Sequence, residues 1–322
     1  MPRTTGADLH IDVNLSQIAM AYRPTGFIID QLAPTVPVAK QSDGFNIWSI
    51  ADAYRVEDDR RAPGTEANVI TRSVSSDTFY CRNYALKDRI PLEDIANADP
   101  GFSFLTARQD RAEFLKEKLT LNWEARVVDM VTSTSNVGSS TAVGSNWSDP
   151  VDGHSDPIGD LQTAIENVEG VTGITPNSII FGATAWKYFR NHANVISRLF
   201  GYQTTERGRI ANLNNVTALF EMERVLIGGL YYNSAQEGQG ASLARKWADK
   251  VLVYYAPPTA RKDTPSFMYS FRWNAVPGFD MQAEVFSLPR AKAEEVQVGY
   301  FQDEKITAKT LGFLITATES AV

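Results

Sequence analysis

Three histidines, a single cysteine and two adjacent acid pairs are the residues of this chain whose types could carry chemistry. His10, His154 and His192 fall in unrelated segments. A lone imidazole lacks the second group that orients it and the third that reacts, so acid–base or nucleophilic work has no set here. His154, in Asp152-Gly153-His154-Ser155-Asp156, reads as a solvated loop residue, and His192, after Phe189-Arg190-Asn191, as a residue flanking a helix end. Cys81 lies among the β-forming residues Thr78 to Tyr84 with no histidine near it in sequence, and is expected as a small, unreactive core residue. Asp58-Asp59 stand among Arg55, Arg60 and Arg61 and read as a solvated or inter-subunit ion network; Glu294-Glu295 read as a solvated strand edge. Carboxylate-pair catalysis needs two such groups about 5 to 10 Å apart in a shaped cleft, and neither pair has that setting. G-x-G-x-x-G, Walker A, H-E-x-x-H and G-x-S-x-G motifs are absent from the sequence. No catalytic, cofactor-binding or metal residue is therefore assigned, and no cofactor is expected.

Composition bounds the rest. With 322 residues, 43% of them hydrophobic, the chain can bury one large core or two modest ones. Aromatic residues make up 11%, which argues against disorder. One cysteine rules out an intrachain disulfide and a cysteine-rich zinc module. No apolar run approaches eighteen residues, and Met1-Pro2-Arg3-Thr4-Thr5 lacks the apolar stretch of a signal peptide, so a soluble product made in the cytosol is expected. The formal net charge of −7, with bases interleaved among acids, leaves no basic stripe. Neutralised phosphates supply most nucleic-acid affinity, so any contact with DNA should be weak.

The elements that would position these residues are unusual for an enzyme. Residues 1–40 read as extended and proline-punctuated, with Pro24, Pro34 and Pro37 forbidding a long helix. Residues 41–90 read as a two-stranded arm: alternation in Phe45-Asn46-Ile47-Trp48-Ser49-Ile50, a charged run Arg55 to Arg61, a Pro63-Gly64 turn, a β-rich return over Asn68 to Tyr84, and a strand ending at Pro91. A hairpin charged at its tip has little to bury within its own subunit. Arg55, Glu57, Asp58, Asp59, Arg60 and Arg61 are thus candidates for contact with a neighbour.

One long helix is expected from near Phe102 to Val131, because Leu115, Leu119, Trp123, Val127 and Val131 keep an i+4 stride. Thr132 to Ser148, rich in Ser, Thr, Gly and Asn, reads as a surface loop or joint. Asp156-Pro157 opens a second helix, carried by Ile158, Leu161, Ile165 and Val168 and ended by Gly170 and Gly173. Ser178 to Phe181 is a short buried strand, Thr184 to Phe200 a further helix, and Val225 to Ile227 and Val251 to Tyr255 apolar strands. From Phe267 to Thr318 the pattern is mostly β. Strands cluster at both ends, so the class is α+β with a mixed or antiparallel sheet.

Three stretches carry a resemblance to a known family. They are Tyr22-Arg23-Pro24-Thr25-Gly26-Phe27-Ile28-Ile29-Asp30 with Leu32, Pro34 and Val36-Pro37-Val38; Tyr84-Ala85-Leu86 with Ile90-Pro91-Leu92-Glu93; and Val296-Gln297-Val298-Gly299-Tyr300 with Leu311-Gly312-Phe313-Leu314-Ile315. In these, and in the order of its segments, the chain resembles the major capsid proteins of tailed double-stranded-DNA bacteriophages.

The resemblance implies a fold with an N-terminal arm (1–40), an extended β-hairpin loop (41–90), a peripheral domain with the long spine helix (91–155 and 261–322) and an axial domain (156–260), the last strand rejoining the axial domain. It implies a structural subunit that assembles with itself, as hexamers and pentamers, into the icosahedral head shell around the genome. The virion, built in the host bacterial cytoplasm, is the expected location. Portal and decoration proteins are expected partners. The chain lacks the helical, charge-rich N-terminal extension that serves some relatives as a fused scaffold, so a separate scaffolding protein or prior processing is implied. An encapsulin-type nanocompartment shell would share the fold and differ in its cargo; the proline-punctuated N-terminal segment favours the phage reading. The non-shell alternative, an α+β enzyme of unknown activity, would need a cleft with convergent titratable groups, and the scarcity of His and Cys disfavours it.

Overall fold

The computed structural model describes residues 26–48, 50–96, 104–149, 155–200, 211–236, 238–274, 280–316 and 318. His10, His154 and most of the expected arm lie outside them. In chain order the described residues begin with a short helix α1 (Ile29–Leu32) and strand β1 (Thr35–Val38). The hairpin strand β2 (Ser42–Trp48) follows, then α2 (Ile50–Ala53), and its partner β3 (Val74–Tyr80). Next come β4 (Arg82–Pro91), α3 (Leu92–Ala96), the 28-residue helix α4 (Phe104–Val131) and β5 (Ser139–Ala142). Then α5 (Pro157–Thr172), β6 (Ser178–Gly182), α6 (Ala183–Asn191), α7 (Ala193–Phe200) and α8 (Leu213–Phe220) lead to β7 (Arg224–Gly228). A small hairpin of β8 (Tyr231–Asn233) and β9 (Leu243–Arg245) precedes β10 (Val251–Tyr254). The chain continues through β11 (Met268–Trp273), β12 (Asp280–Leu288), β13 (Ala293–Ile306) and β14 (Gly312–Thr316).

Two five-stranded sheets organise these elements. In the first, β13 is the axis: β4 pairs antiparallel along it, β12 and then β11 pair antiparallel with it, and β1 adds parallel to β11. The second runs β5-β14-β10-β6-β7, parallel at both outer pairs and antiparallel within. Strands β6 and β10 are buried along their whole length, as their unbroken apolar runs require.

Helix α4 ties the sheets together. It lies along β13, with Arg108 paired to Glu294 near one end and Arg126 to Glu304 near the other. Eighteen helical steps cover about 27 Å and ten strand steps about 33 Å, so the two elements run side by side in the same direction. Every residue of the Leu115, Leu119, Trp123, Val127, Val131 stripe is buried. Leu115 and Leu119 pack with Val296 and Val298 of the first sheet. Trp123, Val127 and Val131 enter a second cluster with Leu252, Tyr254 and Leu314 of the other sheet. One helix face thus fills two cores.

Several expectations change in detail. The strand expected over Asn68 to Tyr84 begins only at Val74; residues 54–73 carry no helix or strand and are exposed throughout. The helix expected over Thr184 to Phe200 is two helices broken at His192, whose backbone is extended (φ −70°, ψ 134°). The imidazole holds that break together: Nδ1 accepts the Asn194 N–H at 3.2 Å and Nε2 meets the buried Ser155 hydroxyl at 2.7 Å. His192 therefore flanks a helix end, as its sequence context indicates.

Asp156 precedes α5 and Pro157 takes its first position, but the Asp156 side chain makes no capping hydrogen bond. Gly170 sits inside that helix, and Gly173 alone ends it, at φ 68°, a left-handed turn that glycine adopts without strain. The Ser/Thr/Gly-rich joint after α4 is more ordered than its composition implies: it contributes edge strand β5 and the fully buried Trp147, whose indole N–H donates to Asp160 at 2.8 Å.

Candidate assembly surfaces

Between α2 and β3 the chain leaves the body for twenty residues, 54–73, all exposed. A structureless loop that long is rare in a compact domain and is usually functional. Arg55, Glu57, Asp58, Asp59, Arg60 and Arg61 all lie on it. Its internal contacts are local and loose: Arg55 sits 3.8 Å from Asp52 and 3.9 Å from Glu57, Arg61 Nε donates to the Thr65 carbonyl at 2.6 Å, and Asn68 Nδ2 donates to the Asp58 carbonyl at 2.7 Å. Exposed ion pairs of this kind contribute about 0 to 1 kcal/mol each. The same loop holds Val56, Val69 and Ile70 at 97%, 89% and 69% exposure. Bare aliphatics on one exposed segment make it a candidate contact surface. The charges were legible in sequence as a contact candidate; these three aliphatics were not.

The root of the loop is firmly held. Phe79 stacks on Phe271 of β11 at 4.5 Å between ring centres, and Phe45 lies 5.4 Å from the same ring. The Tyr80 N–H donates to Asp303 of β13 at 3.0 Å, and Tyr54 reaches across to donate to the Gly173 carbonyl at 3.1 Å. Cys81 is fully buried at this root, its thiol 3.4 Å from the Phe271 carbonyl. Burial, with the Asp303 charge adding to it, pushes the thiol up to about 11, so at neutral pH it stays protonated and weakly nucleophilic.

Glu294 and Glu295 do not form the solvated edge expected of them. Both sit where β13 is flanked by β4 on one side and β12 on the other. Strand alternation sends them to opposite faces. Glu294 takes a bidentate pair from Arg108 of α4, at 2.8 Å to each oxygen. Glu295 on the other face binds Arg89 at 2.6 Å and Lys87 at 3.0 Å, and these hydrogen bonds hold its carboxyl below the usual carboxylate range. Their work is to fasten helix and strand to strand, with no cleft between them for acid–base chemistry.

A sequence profile of the family described as phage major capsid protein E matches residues 127–254. The major capsid protein of Pseudomonas phage JBD67 is 25% identical over 321 residues, an alignment that takes in 96% of this chain and 97% of the relative. Over nearly its whole length the chain is similar to phage major capsid proteins. Two solved structures show the shared fold. A phage-related protein of Bordetella bronchiseptica superposes with a TM-score of 0.75 at 20% identity, over 96% of this chain and 98% of that one. The capsid of cyanophage P-SCSP1u superposes at 0.59 with 12% identity, over 99% and 94%.

The polar core beneath α4 is the other feature that sequence reading missed. Arg126 donates to Glu304 at 2.8 Å and to the Tyr300 hydroxyl at 3.1 Å while its guanidinium lies 3.9 Å from the Tyr84 ring centre. Arg272 donates to Gln302 at 2.6 Å, and Gln302 in turn donates to Glu304 at 3.1 Å. Charge-assisted bonds in such a chain are strong and fix orientation. Glu124, one residue past Trp123, is fully buried and accepts the Ile28 N–H at 2.9 Å, anchoring the incoming chain to the helix. Burial pushes its carboxyl up to about 7, against the opposing pull of that backbone donor. Among the described residues no group of three or more His, Cys, Asp or Glu could hold a metal ion, and no helix is long and apolar enough to cross a membrane.

Proposed function

We propose that this chain is the shell-forming subunit of a phage head, closing with copies of itself, as hexamers and pentamers, into an icosahedral capsid around double-stranded DNA. The observation that carries the reading is the loop over residues 54–73, which holds Val56, Val69 and Ile70 bare among charges while its root is locked to the body. A segment so placed buries its apolar residues only against another molecule. Contacts between different patches of like subunits close into rings when the rotation allows, and a standard specific interface buries about 1,600 Å² in total, area that projecting segments supply without a larger core.

In that role residues 1–40 act as the N-terminal arm and 41–90 as the extended loop. Helix α4 is the spine of a peripheral domain spanning 91–155 and 261–322, and 156–260 form the axial domain; β14, seated between β5 and β10, supports the return of the last strand to the axial sheet. The subunit works as structure and catalyses nothing. A separate scaffolding protein, a portal and decoration proteins complete the particle, which is assembled in the bacterial cytoplasm. The net charge of −7 keeps contact with packaged DNA weak and non-specific.

The test is expression of the chain alone and with its scaffold, followed by negative-stain microscopy and sedimentation. Closed particles tens of nanometres across are expected, filled with DNA when isolated from infected cells. A monodisperse monomer under every assembly condition overturns the proposal, and particles that enclose a cargo protein in place of DNA redirect it to a nanocompartment shell.

A further inference from the structure

The loop root and the body face each other across a cleft of about 580 Å³. One wall belongs to the loop: Phe45 and Ile47 of β2, Ile50 of α2, and Tyr54. The facing wall belongs to the body: Ile174 just beyond α5, Tyr269 of β11, and Leu311 ahead of β14. Small-molecule sites typically run from about 300 to 1,000 Å³, apolar with a few polar groups that fix orientation, and this cleft has both properties. Its charged lining is lopsided: Arg72, Lys262 and Lys309 against Asp263. Lys309 donates to a neutral carbonyl, that of Ser135, at 3.0 Å, and Lys262 shares the Asp43 carboxylate at 3.0 Å. With Asp43 counted, three cations stand against two acids, so the cleft keeps one positive charge in excess in a chain that is acidic overall.

We infer that the cleft is a binding site for a small amphipathic anion, its apolar body held between the two walls and its acidic head directed to Lys262. Because the walls come from separate units, an occupant bridges loop and body and fixes the angle at which the loop leaves.

The site is testable on the soluble, unassembled full-length subunit, so its outcome does not depend on whether shells form. The probes are anilinonaphthalene sulfonate, an aromatic anion that fluoresces in apolar surroundings, and phenylnaphthylamine, the same aromatic body without the sulfonate. One saturable site per chain is expected for the anion. The neutral probe should bind roughly fivefold more weakly, the equivalent of about 1 kcal/mol for one partly exposed ion pair. Lys262→Glu should abolish that preference while the neutral probe still binds. Ala53→Trp, placing an indole against the loop wall, should weaken both probes. Val69→Ser, on the bare loop outside the cleft, should change neither. Circular dichroism establishes that each variant is folded; should Ala53→Trp misfold, the Lys262→Glu comparison decides alone. Equal binding of the two probes, or a preference that survives Lys262→Glu, overturns the inference.

Discussion

The hydroxyl of Tyr54 donates to the carbonyl of Gly173, 3.1 Å away and 119 residues on in sequence, joining the foot of the exposed loop to the end of α5. The joint is close. A Cβ at Gly173 would run into the Tyr54 ring, so the ring sits where only glycine leaves room. Glycine also supplies the left-handed turn that points the carbonyl outward.

Tyr54 is 61% exposed, so its contact sets geometry and contributes little to global stability. Tyr54→Ala should leave the melting temperature within about 1 °C of wild type, consistent with a surface change of under about 0.5 kcal/mol. Trypsin should nonetheless cut faster after Arg55, Arg60 and Arg61, because the loop root loses one of its tethers. Unchanged cleavage rates would mean that the Phe45, Phe79 and Phe271 cluster holds the loop unaided.

The charged part of the loop is tested by reversing Arg60 and Arg61 to Glu. Neither touches the core, so the monomer's melting temperature should hold. Shell yield should fall, since like charges brought together across an interface cost several kcal/mol. Raising salt from 0.1 M to 1 M shortens the screening length from about 10 Å to about 3 Å and should restore part of the yield. Wild-type yield and stability together would remove this run from the assembly contacts.

Glu124 makes stability pH-dependent in an unusual direction. Its folded-state pKa, pushed up to about 7, stands above the ordinary 4.5, so between those values the folded chain binds more protons than the unfolded one. This residue's contribution therefore grows as pH falls from 7 toward 4.5, and above 7 its buried charge is a cost on the order of 3 kcal/mol. Glu124→Gln, which keeps an acceptor for the Ile28 N–H, should melt higher than wild type at pH 8. Thermal melts at several pH values should show that gap shrinking as pH drops through 7. A constant gap would mean that the carboxylate is solvated.

Trp123 is 3% exposed, with the Arg272 guanidinium 5.1 Å from its ring centre. Truncating a buried Trp to Ala costs roughly 3 to 5 kcal/mol, out of a typical 5 to 15. Trp123→Ala should be insoluble or strongly destabilised before any question of assembly arises. A soluble variant with wild-type melting would mean that the helix face is not core.

What the sequence disclosed follows from how each signal is written. The α4 stripe was legible because an i+4 stride of large apolar residues has one physical reading, burial of one helix face. Strands β6 and β10 were legible as unbroken apolar runs. Glu124 was hidden because a carboxylate beside Trp looks solvated until Thr120 and Val128 are seen buried on the same face. Glu294 and Glu295 misled for a related reason: an adjacent pair looks like one charged spot, yet on a strand its members face opposite ways and find different cations. At the loop, Val69 and Ile70 next to Val74 resemble a strand, and only the start of β3 at Val74 and the exposure of both side chains show them bare.

Strand β13 is the axis of the first sheet and β14 lies inside the second, and both come late in the chain. Strands β4 and β12 have nothing to pair with until residues 293–306 arrive, β11 has only β1 before then, and β5 waits for 312–316. On a ribosome, every earlier strand is therefore made before the one that completes its sheet. Pairings this distant in sequence close slowly and leave strand edges open meanwhile. The subunit cannot present a finished assembly surface while its own synthesis is under way, which separates the timing of chain folding from that of shell building.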